Sequence, residues 1–209
     1  MKRFHDAYMQ IFKTQPTSFL EIGSRDGNHA ETLRTLAQMH SRSVYIFEPH
    51  PECFREIIYN YPNFKCWELA ISDRIGVVDF NAIPLKNHSA AEVGMSSLLQ
   101  RNTDAKHSQD WIRVMAVTGK TTLALINLAE IDMLKVDVEG FSYEVLRSFE
   151  EDIRRFKMLH VEVETAEVWK DQKLYPEIQE HLNWWGFQEL YFDTQYYNIA
   201  QGDSIWARK

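Results

Sequence analysis

The chain has 209 residues, 44% hydrophobic and 25% charged, which suits one globular domain with a full core. Its formal charge of −7 and lack of a lysine or arginine cluster exclude a nucleic-acid partner, and no apolar run of about 18 residues reads as a membrane span. No basic-then-apolar leader opens the sequence, and Cys53 and Cys66 have neither CxxC spacing nor disulfide density, so a reducing, cytoplasmic compartment is expected.

Residues 1–15 place Phe4, Ala7, Tyr8, Ile11 and Phe12 at the spacing of a one-faced amphipathic helix, expected against the sheet edge. Pro16 ends it. Phe19 to Ile22 reads as a short strand and Gly23 to Gly27 as a turn. Asn28, with Glu31 three residues on, is expected to cap the next helix. Val44 to Glu48 forms a second strand, and a helix runs from Pro51 to Asn60. Phe64 to Ile71 is expected as a third strand, with Val77 to Ile83 paired to it as a hairpin.

Residues 84–110 are the least regular part, with Pro84, Asn87, His88, Gly94, Ser96 and Ser97, and a polar run from Asn102 to Asp110. A loop of that length inside one domain is expected to serve acceptor recognition, with Ser96, Ser97, His88 and His107 as contact groups. Trp111 to Thr118 is a strand, Thr121 to Leu128 a short helix, and Ile131 to Val138 a strand running into Glu139-Gly140. Phe141 to Phe149 is helical, Met158 to Glu164 a strand, and Leu174 to Trp185 a helix closed by Gly186. Phe187 to Phe192 and Asn198 to Ala207 make two terminal strands. Strands alternating with helices predict one α/β domain over 1–209, a mainly parallel sheet between two helical layers.

In such a sheet, ligands bind at the carboxyl ends of the strands. Here four of those ends are polar. At the first, Glu21, Gly23, Ser24, Arg25, Asp26 and Gly27 form a glycine turn that brings bare backbone to a ligand, without the GxGxxG spacing of dinucleotide folds. At the second, Glu48 before Pro49 can accept two ribose hydroxyls. At the third, Ala70, Ile71, Ser72 and Asp73 suit an adenine edge. At the fourth, Lys135, Asp137 and Glu139 alternate with valines, and His160, Glu162 and Glu164 repeat that parity on the next strand. Charges inside a buried parallel strand are costly unless paired or functional, so Lys135 beside Glu162 reads as an ion pair, either structural or catalytic.

Taken together, Phe19-Leu-Glu-Ile-Gly-Ser-Arg-Asp-Gly27, Phe47-Glu-Pro-His-Pro51, Ala70-Ile-Ser-Asp73, Gly94-Met-Ser-Ser-Leu98, Leu134-Lys-Val-Asp-Val-Glu-Gly140 and Leu159-His-Val-Glu-Val163 resemble the FkbM family of S-adenosylmethionine-dependent methyltransferases. The Lys-x-Asp-x-Glu-Gly run is the most specific of these motifs. The resemblance implies a Rossmann-like three-layer sandwich, a seven-stranded sheet with its last strand antiparallel, S-adenosylmethionine as cofactor, and O-methylation of a sugar or natural product. It implies that Glu21, Gly23 and Gly27 face the methionine part, Glu48 the ribose, Ala70 to Asp73 the adenine, and that Asp137 ends the fourth strand. The chain departs from the family in having Glu21 where Asp is commoner and Ser24-Arg25 where Ala-Asn is commoner.

Methylation of a hydroxyl needs a base or an acidifying metal. Asp137 ranks first as base, followed by Glu162, His160 and Lys135, although His160 also reads as a core histidine. A divalent metal on Asp137, Glu139 and Glu162 is the less favoured route, because no ligand motif marks it. Two rival readings remain at this point: an NAD-type oxidoreductase, and a non-catalytic cofactor-binding or assembly protein on the same fold. The expected partner is a small-molecule or saccharide acceptor. The oligomeric state is not readable.

Overall fold

The computed structural model describes residues 1–86, 88–102, 110–194 and 200–208. The expected contact group His107 and the Asn198 start of the last strand lie outside them. In chain order the helices are α1 (Lys2–Phe12), α2 (Asn28–Leu36), α3 (Pro51–Asn60), α4 (Ala90–Gly94), α5 (Gly119–Ile126), α6 (Ser142–Arg147) and α7 (Tyr175–Trp184). The strands are β1 (Phe19–Ile22), β2 (Val44–Phe47), β3 (Lys65–Trp67), β4 (Ala70–Ile71), β5 (Gly76–Ala82), β6 (Asp110–Val117), β7 (Ile131–Val136), β8 (Phe156–Glu164), β9 (Phe187–Thr194) and β10 (Gln201–Arg208).

Among the described residues the main sheet has seven strands in the order β3-β2-β1-β7-β8-β10-β9. Strands β3 to β8 in that row run parallel, and β10, last in the chain, is antiparallel to both its neighbours. The parallel centre is buried on both faces: every residue of β1, β2 and β7 is inaccessible to solvent. Helices α1, α2 and α3 cover one face through Phe4, Tyr8, Ala30, Leu33 and Ile57. Helices α5, α6 and α7 cover the other through Leu123, Val145, Leu146, Ile178 and Leu182.

Four local expectations are corrected. The amphipathic helix α1 lies across a face of the sheet, where Phe4 and Tyr8 meet Phe19, Met133, Met158 and Ile205, and not at an edge. The stretch 64–71 is not one strand. Trp67 stacks on Phe47 with ring centroids 4.7 Å apart, the chain leaves the sheet at Glu68, and Ala70–Ile71 join a second sheet of order β4-β6-β5. Strand β5 therefore pairs antiparallel with β6 over seven positions and not with β3; alternation predicts a strand but not its partner. Finally, Asn28 does not cap α2. Gly27, at φ 77, is the cap residue, the Asp26 carboxylate accepts the Asn28 N–H at 3.0 Å, and Glu31 turns to Arg34.

Candidate active site

The small sheet and α4 close over the carboxyl ends of β1, β2 and β7, leaving a cavity of about 520 Å³. One half is apolar, walled by Phe47, Ala70, Ile71, Phe80, Val93 and Leu98. The other half is acidic, walled by Glu48, Asp137, Glu139, Glu162 and Asp203.

The glycine turn after β1 is built by close packing. Gly23 has φ 76, and a β-carbon there would lie 1.8 Å from the Asp137 carbonyl oxygen, so no other residue fits. Arg25 also takes a left-handed conformation, φ 57, and the turn closes on itself, with the Asp26 and Gly27 N–H groups donating to the Ser24 carbonyl. Glu48 fixes that geometry: Oε2 accepts the Arg25 N–H and Oε1 the His50 N–H, each at 2.8 Å. The Ser24 N–H is a third backbone donor to this carboxylate, which leaves room for one ribose hydroxyl. Burial raises the Glu48 carboxyl to about 6 against those backbone donors. The Arg25 guanidinium donates to Asp26 at 2.7 Å, and its stem passes beside Gly94 of α4 at the cavity rim.

Some expected cofactor residues act from behind the wall. Gly23, Ser24, Arg25, Glu48, Pro49, Ala70, Ile71 and Asp137 line the cavity. Glu21, Asp26, Gly27 and Ser72 do not. Glu21 is wholly buried and accepts the Ser24 hydroxyl at 2.5 Å. Asp26 is occupied as the α2 cap and by Arg25. Of Ser96 and Ser97, expected as acceptor contacts, Ser96 lines the cavity while its Oγ receives the Ile83 N–H, and Ser97 lies behind the wall, its Oγ donating to the Glu139 carbonyl at 2.6 Å. Sequence reading did not single out His29, Phe80 or Val93, which also line the cavity, and it placed Leu98 only within a motif.

The acidic half centres on one ammonium. Lys135 Nζ bonds the Asp137 carboxylate and lies 3.9 Å from Glu21 Oε1. It does not pair directly with Glu162 among the described contacts, as had been expected. Burial opposes ionisation of Asp137, yet the Lys135 ammonium holds its carboxyl well below the usual carboxylate range. Glu162 behaves oppositely: burial, then the neighbouring Asp137 and Glu139 charges, push it well above its ordinary value. One Glu162 oxygen, Oε2, is buried without a hydrogen-bond partner. His160 does not line the cavity; its Nε2–H donates to Asp203 Oδ1 at 2.9 Å and its ring meets Phe4 edge-on.

This density of buried charge sets a pH dependence. Burial holds His50, His160 and His181 below their ordinary 6.5, so each adds stability that is complete above that value and lost as pH falls. Burial raises Glu21 to about 7, Glu139 and Glu164 to about 8, and Glu162 further. Their contribution is complete below the ordinary 4.5 and is lost as pH rises through the raised values. Above about pH 6.5 the histidines have finished titrating, and four carboxylates outweigh the Met1 amine, which burial depresses. The ligand-free protein should lose several degrees of melting temperature between about pH 6.5 and about pH 8.5, read by calorimetry. A flat profile there would show that these carboxylates are not desolvated.

A family model described as the Methyltransferase FkbM domain matches residues 21–189. Among curated proteins, the 2-O-methyltransferase NoeI of Sinorhizobium fredii is 24% identical over 179 residues, covering 81% of this chain and 72% of NoeI. Among solved structures, the methyltransferase FkbM of Methylobacillus flagellatus KT superposes with a TM-score of 0.56 at 10% identity, over 99% of this chain and 50% of that one. Magnesium protoporphyrin IX methyltransferase of Synechocystis PCC 6803, solved with bound SAM, superposes with a TM-score of 0.55 at 9% identity, over 97% and 76%. The glycine cradle, the ribose-competent Glu48 and the apolar half of the cavity fit that cofactor, and an oxidoreductase on NAD is set aside. The chain belongs to the FkbM-domain methyltransferases.

Proposed function

We propose that the protein O-methylates a hydroxyl of a sugar or similar polyhydroxylated small molecule. The observation that carries this is the Glu162 carboxyl: it lines the cavity, is buried, and keeps Oε2 free of any protein donor. A proton acceptor with a raised affinity for protons is what a weakly acidic alcohol requires. S-adenosylmethionine supplies an electrophilic methyl group on a sulfonium when bound. The chain supplies the rest. Glu48 orients the ribose, Phe80 and Ile71 exclude water around the base, and Asp137 and Glu139 add acceptors for neighbouring hydroxyls. Glu162 takes the proton of the hydroxyl that reacts.

Asp137, first in rank from sequence, serves better as a fixed acceptor than as a base, because its pairing with Lys135 keeps it ionised and weakly basic. The acidic wall also suits a neutral polyol better than a polyanion, which supports a small acceptor over nucleic acid. A reducing, cytoplasmic setting is supported by two free thiols, Cys53 and Cys66. No helix among the described residues is long and apolar enough to cross a membrane.

The test is incubation with S-adenosylmethionine and a panel of sugars, polyols, phenols and amines, with products read by mass spectrometry. A methyl ether on a polyhydroxylated acceptor is expected. N-methylated amines alone would overturn the choice of acceptor. Tight cofactor binding with no product on any acceptor would favour the non-catalytic reading.

A further inference from the structure

Asp203 lines the acidic half of the cavity from β10, where its register partner on β8 is Glu162. Residues directly opposed in an antiparallel pair share one face of the sheet, with β-carbons about 4.5 to 5.5 Å apart. Asp203 and Glu162 therefore stand side by side in the same wall. Asp137 and Glu139 approach Glu162 from the opposite side, from the end of β7 and the turn after it.

A buried imidazole holds Asp203 in place. His160 is 8% exposed and sits two residues before Glu162, on the same face of β8. Its Nε2 lies 2.9 Å from Asp203 Oδ1, and its Nδ1 is buried without a hydrogen-bond partner. A bare Nδ1 puts the ring proton on Nε2, aimed at the carboxylate. Burial keeps the ring neutral, so the bond orients Asp203 without bringing a counter-charge to it. The Phe4 ring, edge-on with centroids 5.3 Å apart, fixes the imidazole from α1. An unmet nitrogen is costly on a buried sheet face, and an apolar side chain would pack there without that cost. What the histidine supplies instead is a fixed carboxylate, 34% exposed, at the cavity.

We propose that Asp203 receives the hydroxyl next to the one that is methylated, with His160 as the positioning residue behind it, so that the preferred acceptor is a vicinal diol. This rests on the O-methyltransferase reading above, in which Glu162 meets the reacting hydroxyl. Two acceptors one strand apart match hydroxyls on adjacent ring carbons, whereas remote hydroxyls would need acceptors on opposite walls. A polar group built to meet a substrate hydroxyl also rejects the analogue that lacks it, because the group is then left without its partner.

The probes are the two cyclohexanediols with adjacent hydroxyls, cis and trans, and cyclohexanol. Each is offered to the full chain with S-adenosylmethionine, and methyl ethers are read by mass spectrometry. Each is also titrated into the S-adenosylhomocysteine complex, and binding is read from the amide signals of Gly202 to Ser204. At least one diol should bind about tenfold more tightly than cyclohexanol and react with about tenfold higher kcat/KM or more. Asp203→Ala should erase that preference while cofactor affinity, by calorimetry, stays within about threefold. His160→Gln should shrink the preference through KM more than kcat, whereas a merely structural histidine would lower the response to diol and cyclohexanol alike. If Asp203→Ala does not fold, the preference in the unmodified protein, with the Asp203 amide shifting first, carries the test. Equal responses to diol and cyclohexanol, no response to any probe, or a preference that survives Asp203→Ala overturns the role of Asp203. Equal methylation of all three probes leaves the O-methyltransferase reading standing, whereas methylated amines alone in the acceptor panel reject that reading itself.

Discussion

Glu162→Gln should lower kcat by about 10²- to 10⁴-fold while leaving the dissociation constant for S-adenosylmethionine within about threefold. The substitution keeps the side-chain volume and one acceptor oxygen but removes the proton-accepting charge. Glu162 sits on β8, whose residues Phe156 to Val161 pair with β7, and every residue of that strand except Lys157 is buried. The fold therefore has little freedom to compensate by moving. The new amide N–H₂ would face Asp137, whose carboxylate is ionised by Lys135 and accepts readily. Stability should consequently stay level or rise, since an ionisable group that resists burial has been made neutral. That combination separates a reacting carboxylate from a structural one. A merely structural glutamate would give a parallel loss of activity and melting temperature. Unchanged kcat with any acceptor that the wild type methylates would remove Glu162 from the chemistry.

Much of this site can be read from residue type and position along a strand. Gly23 and Glu48 stand where a strand ends, and their chemistry there admits few alternatives. The alternation Lys135, Asp137, Glu139 is conspicuous because central strands are otherwise apolar. What sequence does not show is which carboxylate is tied up. Asp26 and Asp137 look equally available in a string, yet one is a helix cap and the other a lysine partner. The basicity ranking changes as a result, since Glu162 is raised by Asp137 and Glu139 while Asp137 is lowered by Lys135. The apolar wall was hidden for a different reason. Phe80 faces the cavity because β5 pairs with β6, and the sequence alternation is compatible with either partner. Ser96 and Ser97 carry a role that sequence does not show: both hydroxyls satisfy backbone groups that the loop would otherwise leave unpaired, although Ser96 also lines the cavity.

The largest structural effect should come from Lys135→Met. Lys135 is 3% exposed in the middle of the sheet and is the shared counter-charge for Asp137 and Glu21. Methionine fills similar volume, so packing is nearly preserved while the ammonium is lost. Removing one member of a buried ion pair costs about 3 to 5 kcal/mol, because the remaining charge keeps its desolvation penalty without its partner. Two carboxylates are orphaned here, and both can escape the penalty by taking up protons. Asp137 would leave its depressed range, and Glu21, already raised to about 7 by burial, would rise further. Raised carboxylates contribute stability at low pH and lose it as pH rises through the folded value. The deficit relative to wild type should therefore be small near pH 5.5 and full near about pH 8, measured by urea unfolding at both. A deficit independent of pH would mean that Lys135 acts through packing alone. Lys135 does not itself line the cavity, so its part in the reaction is to keep Asp137, which does, ionised and in place. The pH–rate profile carries that distinction: in Lys135→Met its acid limb should move upward as Asp137 begins to protonate in the working range, whereas a purely structural loss would lower the profile without shifting it.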